Sequence, residues 1–303
     1  MRKAQYNNIL AVLWVVAGMS CYAIVNGLLK QLGRQYDSQA LMWPLCLAVL
    51  ALIAPWALRR RAAAIRTRKP WLHALRALFN TLSAIGTLYA LKHLTLGEIT
   101  VYQLTTPIWL IPLAMLFLGE AVRPMRWLGV LVGFAGVWLV ASPDVSQGVN
   151  LAVFVALACA ISDALLGVLL KQGQTETPLA IVWWTYAGKA TMFGLLAGFT
   201  VPDFTMTGWA LLGLTAMVNV GCMLCFVIGY RTADATIAET GSFAGLLVGP
   251  MAGWLMFGET LGPQFWLGSA VLAAGILIAL FEPNLKWTWR WRGAVIAWTR
   301  ISR

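Results

Sequence analysis

The sequence predicts an all-α integral membrane protein of ten transmembrane helices arranged as two inverted five-helix repeats. Three observations predict it: apolar runs of spanning length, a one-sided distribution of Lys and Arg, and a recurrence of scarce residues between the two halves.

Of the 303 residues, 60% are hydrophobic and 11% charged. A soluble domain carries roughly 25% charged residues, so this chain has too little charge to coat a water-soluble surface. A membrane protein is solvated by lipid instead. A spanning helix needs about 20 mostly apolar residues. Runs of that kind lie near 8–29, 38–58, 71–91, 96–118, 125–141, 150–171, 178–199, 206–230, 236–257 and 264–281. The first lacks a small-residue cleavage site and reads as a span rather than a signal peptide.

The net charge is +11. The cations cluster between apolar runs, which points to membrane topology rather than to nucleic acid. With the N-terminus inside, 18 of the 22 Lys and Arg fall on the cytoplasmic side, including Arg59, Arg60, Arg61, Arg66, Arg68 and Lys69. Lys30, Arg34 and Lys92 fall on the other side, and Lys189 lies inside a span. Both termini are therefore expected in the cytoplasm, with the protein in a bacterial inner membrane. The sixteen tryptophans suit the bilayer interface. Four of them (Trp287, Trp289, Trp291, Trp298) stand in a basic tail over 284–303, which reads as a surface-lying or disordered segment.

The halves repeat. Leu28-Leu29-Lys30-Gln31 recurs as Leu169-Leu170-Lys171-Gln172, at an offset of 141. Farther on the offset is 139: Asn80 matches Asn219, Gly119-Glu120 matches Gly258-Glu259, Pro124 matches Pro263, and Trp127-Leu128-Gly129 matches Trp266-Leu267-Gly268. The repeats are expected over 1–145 and 146–283. Each holds five spans, an odd number, so the second enters the membrane from the opposite side. Inverted repeats are a signature of secondary transporters, whose halves exchange conformations around a central site.

The Gly-Glu-x-x-x-Pro pattern at Gly119, Glu120, Pro124 and at Gly258, Glu259, Pro263, each followed by Trp-Leu-Gly and a Gly-rich helix, resembles the drug/metabolite transporter superfamily in its EamA-domain branch. The likeness runs over roughly residues 8–282. It implies a ten-span fold, a central cavity lined by spans 1, 3, 4, 6, 8 and 9, and a metabolite, amino acid, nucleoside-like or drug substrate.

Polar groups inside spans are the candidate site, because a mid-span charge costs about 2.5–3.5 kcal/mol on insertion scales. Asp163 sits near the middle of span 6 opposite its repeat mate Tyr22, with Asn26 nearby on span 1. Asp163 reads as a contact for a cationic substrate group, as a proton carrier, or as a buried structural carboxylate; Lys189 on span 7 could pair with it, but reads as structural or interface-reaching. Glu98 and Glu239 occupy the first turns of spans 4 and 9, where helix N-termini favour acids; the alternative is a pair of gates. Asn80 and Asn219 are exact mates in mid-span, suited either to substrate or to a helix interface. Gln103 and Ser242 are also mates, with the rings of Tyr102 and Phe243 beside them. Glu120 and Glu259 read as structural hinges that cap the helix following each. Gly241, Gly245, Gly249 and Gly253 form a smooth ridge on span 9, suited to a moving gate or to tight static packing.

Rival classes find little support. There is no HExxH, GxSxG or phosphate-binding loop, and His73 and His93 stand near opposite ends of span 3. No cofactor or metal is implied, and Cys222 and Cys225 read as buried small hydrophobes. A channel would show filter loops or charge rings. The expected activity is alternating-access transport of an amino acid or a nucleoside-like metabolite such as S-adenosylmethionine; a proton-coupled exporter of cationic or drug-like compounds is the alternative. The partners are the lipid bilayer and a small-molecule substrate, with protons as candidate coupling ions and no nucleic acid. Two repeats already supply a pair of halves, so a monomer suffices, and a homodimer is equally compatible.

Overall fold

The computed structural model describes residues 2–59, 67, 69–94, 96–120, 124–141, 151–173, 176–258 and 262–280. The described residues form ten helical rods: α1 (Arg2–Leu32), α2 (Ser38–Arg59), α3 (Pro70–His93), α4 in two pieces (α4a Leu96–Gln103, α4b Thr106–Phe117), α5 (Pro124–Ala141), α6 (Leu151–Gln172), α7 (Pro178–Leu196), α8 (Met206–Thr232), α9 in two pieces (α9a Ala235–Glu239, α9b Gly245–Phe257) and α10 (Pro263–Leu280). The runs read from hydropathy match these rods closely, except that α1 begins six residues before the predicted 8. Segments of α1, α2, α3, α6, α8 and the whole of α9 are each long and apolar enough to cross a bilayer. The pieces of α4, together with α5 and α10, are shorter. α7 carries Thr185, Tyr186 and Lys189 on its buried side, which lowers its apolar content.

Local chemistry sets the rod ends. Thr177 and Thr205 cap α7 and α8, their hydroxyls accepting from Ala180 N at 3.1 Å and Gly208 N at 3.1 Å. Proline at the first turn opens α3, α5, α7 and α10. Gly119 and Gly258 adopt φ of +65° and +68°. Each follows the last turn of its rod in the left-handed conformation that closes helices and suits glycine. Beyond Gly119, Glu120 N reaches back to Ala114 O at 3.3 Å. This accounts for the glycine of the repeated Gly-Glu pair.

Helix pairing obeys the two-fold relation. α1 packs on α8 and α3 on α6, which exchange when the halves are swapped; α2 packs on α7 and α5 on α10, which map onto themselves. The α5–α10 contact repeats the relation in atomic detail. A Cβ at Gly136 would lie 2.6 Å from Gly268 O, and one at Gly275 would lie 2.7 Å from Gly129 O. Each contact becomes the other under the 139-residue offset. The ridge on α9 is packed as well: Gly241 lies against Val12 O, Gly245 against Met19 and Gly249 against Thr100.

The two interrupted rods are also mates. α4 breaks at Leu104–Thr105, and α9 tightens to a 3₁₀ turn over Thr240–Ala244. Pro107 has no N–H for the carbonyl of Gln103; the Thr106 hydroxyl donates to that carbonyl instead, at 2.5 Å. Thr105 Oγ1 serves Tyr102 O at 2.7 Å. In α9, where no proline forces the break, Thr240 Oγ1 donates to Ile237 O at 2.7 Å and Ser242 Oγ to Glu239 O at 2.6 Å. Side-chain hydroxyls thus satisfy backbone carbonyls that the breaks leave without a helical partner.

Candidate functional site

The breaks in α4 and α9 open onto a central cavity of about 210 Å³. Eight of the ten rods contribute to its wall. α2 and α7 line it through Cys46 and through Thr185, Tyr186 and Lys189, so the lining extends beyond the six spans that the family resemblance implied.

Eight of the ten candidate residues meet there: Tyr22 and Asn26 from α1, Asn80 from α3, Gln103 at the α4 break, Asp163 from α6, Asn219 from α8, and Glu239 and Ser242 at the α9 break. Tyr102 and Phe243 lie elsewhere. Tyr102 packs against the large apolar cluster that includes Leu96 and Ile99. Phe243 is fully buried with Leu104 and Leu246, its ring 3.3 Å from where a Cβ on Gly133 would stand. Each neighbours a cavity residue in sequence, and one step along a helix rotates a side chain by about 100°.

Hydrogen bonds between rods hold the wall. Ser83 Oγ on α3 donates to Asp163 Oδ1 on α6 at 2.7 Å, joining the two repeats. Gln103 Nε2 donates to the Tyr22 hydroxyl at 2.9 Å. The Tyr186 hydroxyl donates to Asn219 Oδ1 at 2.5 Å. The Tyr230 hydroxyl donates to the buried Glu239 carboxylate. Arg76 reaches the wall too, but its guanidinium donates to Leu169 O and meets His73 Nδ1 at 3.3 Å. Lys189 differs from all of these. It is only 8% exposed and lines the cavity, and the contact of its ammonium is the Tyr186 ring, 5.3 Å from its centroid. Sequence reading assigned it a structural or interface-reaching role; its place is in the cavity wall. The signal was available, since Lys189 was the cation that fitted neither side of the membrane. Ser83, Tyr186 and Tyr230 were missed because a lone hydroxyl in a span carries no signal of its own.

A second polar cluster closes the rod ends on the Lys/Arg-rich side, called here the basic end. Glu120 was expected to cap the helix that follows it. Its Oε1 instead accepts from Ala235 N at 2.9 Å, and its Oε2 from Thr236 N at 3.3 Å and Thr236 Oγ1 at 3.1 Å. A first-half carboxylate thus caps α9a in the second half, where Asp234 at the cap position makes no side-chain bond of its own. Arg126 Nη1 donates to the same Thr236 hydroxyl at 2.7 Å. Glu259, the side chain of Glu98, the cations at 60, 61, 66 and 68, and the tail over 284–303 lie outside the described residues. The five cysteines are free thiols, and Cys222 Sγ lies 3.4 Å from Gly18 O.

The profile of the EamA-like transporter family matches residues 9–142 and 150–281. A riboflavin transporter of Rhizobium johnstonii is 29% identical over 89% of this chain and 91% of its own. An S-adenosylmethionine uptake transporter of Rickettsia felis is 22% identical over 72% of this chain and 74% of its own. A pseudopaline exporter of Pseudomonas aeruginosa is 22% identical over 89% and 93%. A solved structure of 18% identity superposes with a TM-score of 0.70 over 92% of this chain and 96% of its own, which supports the fold. The chain belongs to the EamA-like transporter family: it is a multi-pass helical membrane transporter built from duplicated halves, and not an enzyme.

Proposed function

We propose that the chain carries a neutral or zwitterionic heteroaromatic metabolite, of the nucleoside-like or vitamin kind, across the bacterial inner membrane by alternating access, with both termini cytoplasmic. The observation that carries this reading is the chemistry of the cavity wall. Amides and phenols (Tyr22, Asn26, Asn80, Gln103, Tyr186, Asn219, Tyr230) outnumber the charged side chains in its lining. Such groups hydrogen-bond the edge of a planar ring and pack against its face. The names of the relatives run the same way: riboflavin and S-adenosylmethionine are both polar heteroaromatics. The repeats, taken as 1–145 and 146–283, supply the two exchanging halves, and the basic tail over 284–303 fits the membrane surface.

The test is ligand-induced thermal stabilisation of the purified protein with riboflavin, S-adenosylmethionine, nucleosides and amino acids, since a ligand of the folded state raises the melting temperature. Stabilisation by a heteroaromatic metabolite that is lost in Asn80→Ala or Asn219→Ala supports the reading. Stabilisation confined to lipophilic cations refutes it.

A second reading has its own observation. Two carboxylates, Asp163 and Glu239, face the cavity, and one relative is an exporter. Proton-coupled export of cationic compounds would use one of them as the proton carrier. Under that reading Asp163→Asn or Glu239→Gln abolishes the pH dependence of transport; unchanged pH dependence in both variants rules it out.

A further inference from the structure

We propose that Lys189 is the substrate's anchor: its ammonium donates to an oxygen acceptor on the cargo, either a carboxylate or a ring carbonyl, and thereby selects metabolites that carry such an acceptor over organic cations that carry none. The assignment rests on the metabolite reading above and deepens it.

Three observations carry it. First, Lys189 is buried to 8% exposure yet lines the central cavity. A charge in such a place is costly unless it is paired and hydrogen-bonded. Second, among the described residues no hydrogen bond and no ion pair reaches its ammonium; the Tyr186 ring face is its contact, and the Asp163 carboxylate acts on its charge only at longer range. A ring face offsets part of the cost but accepts none of the N–H bonds. The hydrogen bonds of the cavity carboxylates go elsewhere, Asp163 accepting from Ser83 and Glu239 from Tyr230, so Asp163 offers Lys189 charge but no hydrogen bond. Third, the scaffold around Lys189 is set. Tyr186, one turn earlier on α7, is held by Asn219 of α8 at 2.5 Å, which fixes the ring over which the ammonium sits. The wall therefore presents a pre-positioned donor that, among the described residues, has no hydrogen-bond acceptor. A cargo oxygen placed there completes its hydrogen bonding, whereas a cation placed there meets a like charge.

The experiment compares wild type, Lys189→Met and Lys189→Arg by thermal stabilisation and direct binding. The probes are riboflavin (ring carbonyls, no carboxylate), S-adenosylmethionine (carboxylate), its decarboxylated analogue, and tetraphenylphosphonium. Wild type is expected to bind at least one of the first two. Lys189→Met should weaken that probe about tenfold or more, as for loss of a hydrogen bond to a charged group, while Lys189→Arg retains it. Tetraphenylphosphonium should bind Lys189→Met at least as tightly as wild type. Loss confined to S-adenosylmethionine, with weak binding of its decarboxylated analogue to wild type, identifies a carboxylate; loss confined to riboflavin identifies a ring carbonyl. Without ligand, Lys189→Met should melt no lower than wild type, because relief of the cost of burying an ammonium with no hydrogen-bond acceptor offsets the loss of its long-range attraction to Asp163. Wild-type protein that binds neither metabolite sinks the metabolite reading itself. Wild-type binding that Lys189→Met leaves unchanged overturns the anchor alone, and so does a Lys189→Met protein that melts lower without ligand and is restored by Arg.

Discussion

Glu120 ties the two halves together at the basic end, and removing it should loosen that end. Its carboxylate accepts from Ala235 N, Thr236 N and Thr236 Oγ1 at 2.9, 3.3 and 3.1 Å. The first two bonds are those of an N-cap, whose loss typically costs about 0.5–2 kcal/mol. The negative charge at the start of α9a adds about 0.3–1 kcal/mol. Glu120 is only half-buried, so solvent screens part of this, and about 1–2 kcal/mol is a fair total. A conformation in which α4b and α9a separate at the basic end loses these bonds. Glu120→Ala should therefore favour that conformation by roughly 5- to 30-fold, and Glu120→Gln, which keeps an acceptor but not the charge, by less. Cys222 lines the cavity and can report the change. In a chain keeping Cys222 as its one thiol, the modification rate by a membrane-impermeant reagent is measured in vesicles of each orientation. The expected result is a faster rate from the basic end in Glu120→Ala, with an intermediate rate in Glu120→Gln. An unchanged rate from both sides in a folded Glu120→Ala protein would refute the idea that the carboxylate holds this end shut.

Other positions make separate predictions. At Gly136 a Cβ would stand 2.6 Å from Gly268 O and 2.7 Å from Leu272 N. Backbone cannot yield as a side chain does, so Gly136→Ala should destabilise by about 1–3 kcal/mol and lower the detergent melting temperature; a wild-type melt would contradict the close α5–α10 crossing. Tyr230→Phe removes the hydroxyl that serves Glu239, itself only 4% exposed, and should cost about 1–3 kcal/mol. Melting at the wild-type temperature would mean that Glu239 does not depend on this bond. Tyr36, in the connection after α1, accepts the Thr205 N–H at 3.1 Å, and hydrogen bonds from Thr205 pull its pKa below the usual 10.0. Folding then favours the phenolate, a contribution present above the ordinary tyrosine pKa and lost as pH falls through the lowered one. The difference absorbance between wild type and Tyr36→Phe should titrate with a midpoint below 10.0; a midpoint at or above it counts against the Thr205 contacts.

What the sequence made legible follows physical range. Rods α2 to α10 could be placed within a few residues because spanning length and apolar content are local properties. The break in α4 had a local cause, Pro107, whereas the break in α9 had none, since Leu246 stands at the equivalent position. Glu120 was read as the cap of the next helix, but the helix it caps begins 115 residues away, and no local pattern specifies so distant a partner. Tyr102 and Phe243 were drawn in by adjacency to Gln103 and Ser242, where one residue of register turns a side chain from cavity to core. Lys189 was noticed as the cation without a side, and what sequence lacked was the knowledge that α7 presents it to the cavity.

The two halves are alike in frame and unlike in chemistry. The left-handed glycines at 119 and 258, the interrupted rods, and the reciprocal Gly136–Gly268 and Gly275–Gly129 contacts are all paired across the repeat. The ionisable groups in the middle of the cavity are not. Asp163, Lys189 and Glu239 all come from the second half, while the first offers Tyr22, Asn26, Asn80 and Gln103. Arg76, the first half's cation in the wall, has its guanidinium committed to Leu169 O. Under the alternating-access proposal, symmetry in the frame lets the halves exchange shapes at little cost, since each conformation resembles the other turned about the two-fold axis in the membrane plane. A cargo bound mainly by charges of one half then stays with that half while the neutral wall of the other changes its grip. Selectivity resides in the second repeat on this account, and substitutions at Asp163 or Lys189 should change which compounds bind, while substitutions at the first half's neutral groups Tyr22 and Asn80 should change how tightly all of them do.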